Sequence, residues 1–418
     1  MTHRHARTWR WAARGAVGTA LALNLAACSS PSAMKPAQTS PPETFAETVP
    51  VGDFYKLPSP LPTAPAGTLI RVQKIKNADG NPAGTVTYRV LYHSTSLQGS
   101  DVAQSGMVIV PGGPEPQGGY PVLSWAHGTT GVADICAPSA GGNQSVPYLN
   151  RFLAAGFVVA ATDYDGLGTP GIHPYLVGVS EGRSVLDAAR AARNLVGAAA
   201  STRVLIFGHS QGGHAALFAG QLASTYAKDL QIKGVVAAAP VGSLTDLLPA
   251  SPPAQELPSQ PYAAMAAIVW SEIYPDIRLN EVLTPAGADL QGIVTEKCSP
   301  ATATAASTFS ADQLFQASWS TAAGMSAAIA ENSPGSNPLP MPVLLVQGLG
   351  DEIVTPASTD AVDARLCEHH DQVQYNSYPG NGHSSVLLEA EGDIVRWIDD
   401  RFAEQRAPSN CGSAPALR

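Results

Sequence analysis

The pattern of apolar and polar positions divides the chain into a short β-rich start and a longer alternating region. Between residues 68 and 111, the runs TLIRVQKI, TVTYRVLYHS and SGMVIVP are rich in β-branched and aromatic residues. Turn residues such as NADGNPAG separate them. Strand-like runs joined by turn chemistry predict three consecutive strands that pair antiparallel.

From about residue 120 to 240, short apolar runs alternate with segments that repeat apolar residues at helical spacing. The strand candidates are PVLSWAHG, FVVAATDY, RVLIFGHS and GVVAAAP. The helix candidates are EGRSVLDAARAARNLVG and GGHAALFAGQLASTYA, with a further helix expected near 146–155. This alternation predicts an α/β fold, in which a mostly parallel sheet carries helices on both faces.

Residues 241–338 interrupt the alternation. They are rich in Ala, Ser and Pro, and helical stretches such as YAAMAAIVWSEIY and SADQLFQASWSTAAGMSAAIA follow without strand candidates between them. We interpret this segment as an inserted helical cap. The alternative is a group of helices that only covers the edge of the sheet and has no role at the site. The sheet then resumes with MPVLLVQG, a helix at 358–368, the strand QVQYNSYP and the final helix SSVLLEAEGDIVRWIDDRFAEQ. The core thus comprises residues 67–240 and 339–418.

The first 66 residues precede the strands. Residues 1–28 contain several arginines and a short apolar run that ends in LAAC, a pattern that predicts a signal peptide with a lipobox and lipid attachment at Cys28. The alternative is an ordinary signal peptide in which Cys28 has no role. Residues 29–66 are rich in Pro, Ser and Thr, and we expect a tether that ends in a segment laid over the fold. We therefore expect an exported, membrane-anchored lipoprotein on the periplasmic or cell-surface side, in the outer membrane by default because Ser29 follows the cysteine.

Charge and cysteine content narrow the possible partners. The net charge of −9 leaves no basic face for nucleic acid. Besides Cys28, an exported chain with Cys136, Cys298, Cys367 and Cys411 is expected to form two disulfides, for which three pairings are possible. No two of these cysteines lie within a few residues of each other, as a zinc site would require. We expect neither a metal nor a cofactor.

The pattern G-x-S-x-G, which presents a nucleophilic serine on a strand-to-helix turn, occurs twice. GHSQG at 208–212 follows the strand candidate RVLIF and precedes a small-residue helix, as this turn requires. GVSEG at 178–182 has no buried strand before it, and the carboxylate of Glu181 would repel a developing oxyanion. We therefore assign the nucleophile to Ser210 and interpret Ser180 as the N-cap of a helix.

A serine nucleophile needs a histidine base and an acid that orients it, and in this fold class the acid precedes the histidine along the chain. His383 lies in the glycine-rich loop of SYPGNGHSSV, whereas His369 and His370 belong to an exposed helix end. Asp351 comes directly after the strand MPVLLVQG, with Glu352 as the alternative acid. These positions predict the triad Ser210, Asp351 and His383.

Two backbone amides are expected to bind the oxyanion. Gln211 directly follows the nucleophile, so its N–H is one donor. The loop HGTTG after the strand PVLSWA supplies the second, with Thr129 as first choice and Thr130 as alternative. We interpret His127 as a structural residue that fixes this loop.

Several blocks of the chain together resemble the secretory lipase family, the α/β-hydrolases of the Candida antarctica lipase A type. The blocks are SWAHGTTG, CAPS, DYDGLG, GRSVLDAARAA, GHSQGG, QGLGDEIV and YPGNGHS, between about residues 120 and 400. The resemblance implies an α/β-hydrolase fold with a cap and ester hydrolysis. It implies the nucleophile at Ser210, the acid at Asp351 and the base at His383. The HGTTG loop lacks the acidic residue of the family, a departure that concerns the oxyanion donor and acyl preference.

The resemblance also implies two disulfides, Cys136–Cys298 and Cys367–Cys411. We therefore expect a lipid-anchored serine hydrolase, a lipase or esterase, that cleaves small-molecule or lipid esters through an acyl-enzyme. A peptidase, a polyester depolymerase or an acyltransferase would use the same triad. A catalytically inactive binding lipoprotein is the alternative outside the enzymes.

Overall fold

The computed structural model describes residues 41–46, 50–142 and 145–418. The predicted signal peptide, the lipid-attachment residue Cys28, Ser29 and the first part of the predicted tether lie outside the described residues. Within the described ranges, no helix has the length and apolar character needed to cross a membrane.

One sheet contains all the strands of the described residues. They are β1 (Glu43–Phe45), β2 (Leu69–Ile75), β3 (Val86–Thr95), β4 (Asp101–Val110), β5 (Tyr120–Ala126), β6 (Val158–Thr162), β7 (Ala200–His209), β8 (Gln231–Ala238), β9 (Val343–Gly348), β10 (Val373–Tyr378) and β11 (Ala416–Leu417). Their order is β1-β2-β3-β4-β6-β5-β7-β8-β9-β10-β11. β2, β3, β4 and β6 pair antiparallel in turn, and every pair from β6 to β11 is parallel. The prediction of a mostly parallel sheet with an antiparallel start is confirmed.

Helices cover both faces of this sheet and build the segment between β8 and β9. They are α1 (Val51–Phe54), α2 (Leu149–Ala154), α3 (Gly178–Asn194), α4 (Gln211–Tyr226), α5 (Leu244–Leu247), α6 (Gln260–Ile273), α7 (Leu279–Val282), α8 (Pro285–Ala288), α9 (Gln291–Glu296), α10 (Ser299–Ala306), α11 (Ala311–Leu314), α12 (Met325–Glu331), α13 (Pro356–Glu368), α14 (Ser385–Glu389) and α15 (Glu391–Phe402). Short 3₁₀ helices are Asp134–Cys136, Pro138–Gly141 and Trp319–Thr321. α3, α4 and α13 pack on one face of the sheet, and α2, α14 and α15 pack on the other.

The second half of β7 has apolar residues at consecutive positions, Val204–Phe207. Side chains of a strand alternate between the two faces of the sheet. Val204 and Ile206 accordingly join the apolar cluster under α3 and α4, whereas Leu205 and Phe207 join the cluster under α2 and α15. Because both faces are covered by helices, both sets must be apolar.

Residues 241–338, all of them described, contain the helices α5–α12 and a separate apolar core around Trp270 and Trp319. The helical stretch predicted over 310–330 is shorter than expected, because it breaks into α11, a 3₁₀ turn and α12. The carbonyl of Leu314 accepts the N–H of Thr284 across the cap, so it does not continue the helix. Tertiary hydrogen bonding overrides the local helical pattern here.

The last predicted helix is also divided. α14 ends and α15 begins around Ala390, which has a ψ of −4° and is fully buried. This ψ departs from the mean helical value, although the N–H of Ile394 still donates to the carbonyl of Ala390 at 2.9 Å. Val386 and Ile394 nevertheless pack in the same apolar cluster.

The end of the predicted tether lies against the sheet. β1 pairs parallel with β2, and Phe54 of α1 is fully buried. The guanidinium of Arg71 donates to the carbonyls of Phe54 at 2.6 Å and Lys56 at 2.7 Å. The sequence pattern gave no indication of β1 or α1, because their stability comes from these contacts with the rest of the fold.

Candidate active site

Ser210 occupies the sharp turn between β7 and α4. Its φ of 60° and ψ of −122° are strained for a residue with a side chain. Glycines on both sides make the turn possible. A β-carbon at Gly208 would lie 1.9 Å from the carbonyl oxygen of Gly212, and one at Gly212 would lie 1.9 Å from that of Ala126. The first and fifth positions of GHSQG therefore exclude any larger residue.

Asp351 and His383 follow β9 and β10, whose carboxyl ends lie at the same sheet edge as the end of β7. Nδ1 of His383 lies 2.7 Å from Oδ2 of Asp351. The buried Asp351 carboxylate also accepts the backbone N–H groups of Ile353 and Val354, each at 2.9 Å. His383 and Ser210 line the same cavity. The structure therefore brings the three residues assigned from sequence to one site.

The alternatives to these residues lie outside the site. Glu352, His369 and His370 are exposed, and none of them lines the cavity that contains Ser210.

Gln347, which the sequence analysis missed, supports Asp351 from within β9. Its amide nitrogen donates to Oδ2 of Asp351 at 3.3 Å and to the carbonyl of Val354 at 3.1 Å. Its oxygen accepts the hydroxyl of Thr359 at 2.6 Å. A fully buried glutamine at the end of the apolar run VLLVQG is the signal that could have revealed it, because a buried polar group requires a partner.

His209, also missed, connects the turn of Ser210 to the loop of His383. Its Nε2 lies 2.9 Å from the carbonyl oxygen of His383, and the two imidazole rings are 4.6 Å apart. Burial, together with the neighbouring His383, lowers the pKa of His209 to about 4. His209 is thus neutral at ordinary pH and donates to the carbonyl from Nε2.

The loop after β5 lies directly against the turn of Ser210. A β-carbon at Gly128 would lie 3.6 Å from the β-carbon of Ser210. Thr129 and Thr130 line the cavity together with Ser210. Gln211 begins α4, so its backbone N–H is one of the helix N-terminal groups without an acceptor inside the helix.

His127 contacts this loop and its surroundings. One ring nitrogen lies 2.7 Å from the carbonyl oxygen of Gly128, and the ring packs on Tyr164 at 4.5 Å. Burial lowers the pKa of His127, so the ring stays neutral. These contacts are those of a residue that fixes the loop.

The pentapeptide GVSEG lies in the first turn of α3, and the interpretation of Ser180 as its N-cap is wrong. The helix begins at Gly178 with Val177 as N-cap. The carboxylate of Glu181 accepts the N–H of Leu176 at 2.9 Å. An acidic side chain in the first turn thus gives a hydrogen-bond partner to a backbone N–H just before the helix. Ser180 is buried inside the turn.

Glu181 also joins α3 to α4, the helix that follows Ser210. Its carboxylate accepts the side-chain amide of Gln211 at 2.8 Å and lies 2.7 Å from Nδ1 of His214. The amide of Gln211 also lies 2.9 Å from Nε2 of His173, whose pKa burial lowers to about 4. The side chain of Gln211 is therefore held by Glu181 and His173.

Two disulfides are present, Cys136–Cys298 and Cys367–Cys411, the pairs that the family resemblance implies. The first joins the loop after β5 to the cap. Next to it, the backbone N–H of Ser299 donates to the carbonyl of Thr130 at 2.8 Å. The hydroxyl of Ser299 donates to the carbonyl of Thr129 at 3.2 Å. The cap therefore holds the candidate oxyanion loop from outside.

The cavity above Ser210 has a volume of about 710 Å³. Apolar side chains from the core and the cap form much of its wall, including Trp125, Ile135, Tyr262, Ile353 and Leu387. A cleft of this size and character is typical of a site for a small apolar ligand.

Comparison with known proteins places these features in a family. A sequence profile of the secretory lipases matches residues 144–410, well over half of the chain. The chain is 27% identical to Lipase A of Moesziomyces aphidis over 194 residues, which are 43% of this chain and only 41% of that protein. It is 26% identical over 385 residues to a probable inactive lipase of Mycobacterium tuberculosis, covering 84% of this chain and 81% of that protein.

The fold is also that of a solved structure. The crystal structure of Candida antarctica lipase A superimposes with a TM-score of 0.74 at 20% identity, covering 89% of this chain and 91% of that chain. This likeness shows the α/β-hydrolase fold. By the match of its sequence to the family profile, the protein belongs to the secretory lipase family.

Proposed function

We propose that the protein hydrolyses carboxylic esters with Ser210 as nucleophile, His383 as base and Asp351 as the acid that orients the base. The observation that supports this most directly is the 2.7 Å contact between Asp351 and His383 beside the cavity that Ser210 lines. Membership of the secretory lipase family supports the same activity.

In this mechanism, Oγ of Ser210 attacks the ester carbonyl while Nε2 of His383 takes its proton. The negative charge of Asp351 stabilises the imidazolium that forms. The tetrahedral intermediate collapses to an acyl-enzyme as His383 protonates the leaving alcohol. Water then attacks the acyl group with His383 again as base, and the carboxylic acid leaves.

The backbone N–H groups of Gln211 and Thr129 are the proposed oxyanion donors. The position of Gln211 at the N-terminus of α4 supports the first, and the close approach of the Gly128 loop to Ser210 supports the second. Donors that are fixed before the reaction stabilise the oxyanion without reorganising during it.

The catalytic test compares two serines of the same motif. Ser210→Ala should abolish turnover of p-nitrophenyl butyrate, whereas Ser180→Ala should retain it because Ser180 is buried in α3. Retained turnover in Ser210→Ala would overturn the assignment.

The proposed substrates are small-molecule or lipid esters. The apolar wall of the cavity favours an apolar acyl group. A series of p-nitrophenyl esters from acetate to palmitate, with equal concentrations of purified enzyme, identifies the preferred chain length. Turnover of the short-chain esters without turnover of the long-chain esters would exclude long-chain fat as the substrate.

Inactivity is the second candidate, because one of the relatives is a probable inactive lipase. The contact between His383 and Asp351, beside the cavity that Ser210 lines, favours activity. A fluorophosphonate probe labels an activated serine, so a protein without activity would stay unlabelled. Peptidase, polyester depolymerase and acyltransferase activities share the triad, and product analysis with a peptide, a polyester and an alcohol acceptor distinguishes them.

The proposed location is outside the cytoplasm, with a lipid on Cys28 as membrane anchor. Membership of a secretory family supports export. Labelled palmitate should enter the wild type but not Cys28→Ala, and the variant should leave the membrane fraction. Equal labelling of both proteins would overturn the anchor and leave the hydrolase proposal unaffected.

A further inference from the structure

The hydroxyl of Thr129 has a buried partner in the loop between β6 and α3. Oγ1 of Thr129 lies 2.9 Å from the phenol oxygen of Tyr175. Tyr175 is only 1% exposed, whereas Thr129 is half-buried at the wall of the cavity. The two hydroxyls therefore form a chain that starts in the protein interior and ends at the wall of the cavity that Ser210 also lines.

The direction of this hydrogen bond follows from what each hydroxyl can reach. Among residues 50–142 and 145–418, Thr129 is the hydrogen-bond partner of the Tyr175 hydroxyl. If Thr129 donated, the proton of Tyr175 would be buried without an acceptor, a state that buried polar groups in proteins avoid. Burial also raises the pKa of Tyr175, so its proton is retained. Tyr175 is thus the donor, and the proton of Thr129 is directed away from Tyr175.

We propose that the Thr129 hydroxyl is a third donor to the oxyanion, beside the two backbone amides, and that Tyr175 is the positioning residue that orients it. Thr129 follows Gly128, on which an added β-carbon would be in van der Waals contact with the β-carbon of Ser210. A threonine hydroxyl that accepts one hydrogen bond can still donate its own proton. This inference rests on the proposed ester hydrolysis.

Tyr175 is itself held in place by the cap. The indole nitrogen of Trp270 in α6 donates to the carbonyl of Tyr175 at 3.0 Å. Polarised hydroxyl chains donate more strongly than isolated hydroxyls in a site of low dielectric constant. The cap thus contributes to the reacting centre through Trp270, Tyr175 and Thr129, without supplying a residue that touches the ester carbonyl.

The test removes each hydroxyl in turn from the full-length protein. Thr129→Val keeps the backbone N–H and the side-chain shape but lacks the hydroxyl, and Thr129→Ser restores it. We expect kcat to fall about 10²-fold in Thr129→Val with little change in KM, and to recover in Thr129→Ser. Tyr175→Phe should lower kcat about tenfold. The double variant Thr129→Val with Tyr175→Phe should be no slower than Thr129→Val, because both act through one hydroxyl.

Tyr92 provides the matched control. Its phenol donates to the Thr162 hydroxyl at 3.0 Å in the buried sheet, away from the cavity. Tyr92→Phe removes an equivalent hydrogen bond and should leave kcat unchanged. A trifluoromethyl ketone, which forms an oxyanion on Ser210, should bind Thr129→Val more weakly by the same factor as kcat/KM falls.

The outcomes separate this inference from the proposed function. Wild-type kcat in Thr129→Val, or an equal loss in Thr129→Ser, would overturn the hydroxyl donor while ester hydrolysis stands. An inactive wild-type protein that also resists the fluorophosphonate probe would overturn both.

Discussion

His209 donates a hydrogen bond from Nε2 to the carbonyl oxygen of His383 at 2.9 Å, so the residue before the proposed nucleophile holds the loop of the proposed base. His209→Leu removes this donor, whereas His209→Gln can place an amide nitrogen at the same point. We expect kcat for p-nitrophenyl butyrate to fall about tenfold in His209→Leu, the loss that one hydrogen bond represents. His209→Gln should retain most of the wild-type kcat. Equal activity of His209→Leu and the wild type would show that the loop of His383 is held by other contacts.

The same histidine predicts a dependence of stability on acid. The pKa of His209 is about 4 in the folded protein against an ordinary 6.5, so between these values the unfolded state binds more protons. The free energy of unfolding should therefore fall as the pH falls from about 6.5 to about 4, by about 1.4 kcal/mol per pH unit from this group. His173 acts in the same direction, whereas Asp165 and Asp363, with pKa values raised to about 6 by burial, act in the opposite one.

Because the histidines and the aspartates have opposite effects on the pH dependence of stability, the contribution of His209 is measured as a difference between two proteins. Urea unfolding of the wild type and of His209→Gln at several pH values isolates the contribution of His209. As the pH falls from about 6.5 to about 4, the unfolding free energy of the wild type should fall more than that of His209→Gln. Two parallel curves would contradict the assignment of the low pKa to His209.

Gln347 should be needed for the position of Asp351. Gln347→Leu leaves the Thr359 hydroxyl and a carbonyl without their partner, so we expect a loss of about 1–3 kcal/mol of unfolding free energy. We also expect a lower kcat, because the carboxylate that orients His383 loses a donor. Gln374→Leu makes the same change on the neighbouring strand β10, where the amide nitrogen donates to the side chain of Asn376 at 3.1 Å, and should leave kcat unchanged. Identical effects of the two variants on kcat would rule out a specific role for Gln347.

The two disulfides should differ in their effect on turnover. They close segments of 162 and 44 residues, and replacing either pair by serine should cost about 2–5 kcal/mol of stability. Loss of Cys136–Cys298 should also lower kcat, because this bridge joins the cap to the loop that contains Thr129. Loss of Cys367–Cys411 should leave kcat intact under conditions where both variants are folded. Thermal unfolding and initial rates on the same samples test this, and equal rates in the two variants would contradict it.

Gly212 should tolerate no side chain. Gly212→Ala places a β-carbon against the carbonyl oxygen of Ala126, and we expect a loss of roughly 3 kcal/mol or more. Gly392, in the first turn of α15, has open space around its Cα. Gly392→Ala should instead stabilise the protein by about 0.5–1 kcal/mol. A folded, active Gly212→Ala variant would mean that α4 can move away from β5.

The sequence was sufficient for residues whose position follows from strand order. Ser210, Asp351 and His383 each come after a strand, and parallel strands end at one edge, so their proximity could be predicted. His209, Gln347 and Tyr175 could not be assigned roles in this way. Their roles depend on single hydrogen bonds to distant residues, for which no local pattern exists.

The errors have the same origin. The helical pattern at 310–330 breaks because Leu314 pairs with Thr284, which lies in another part of the cap. Ser180 is not an N-cap because Glu181, one residue further, satisfies the helix entry. In both cases a tertiary or side-chain hydrogen bond replaces the one that the local sequence favours.

The short strands β1 and β11 occupy the two edges of the sheet. Beside β11, the side chain of Asn410 pairs with the N–H and carbonyl of Tyr375, at 2.8 and 3.0 Å. An uncovered strand edge is a template on which another chain can add a strand. Trimming residues 41–46 or 410–418 would expose such an edge on β2 or β10, so we expect these two edge segments to protect the fold against self-association.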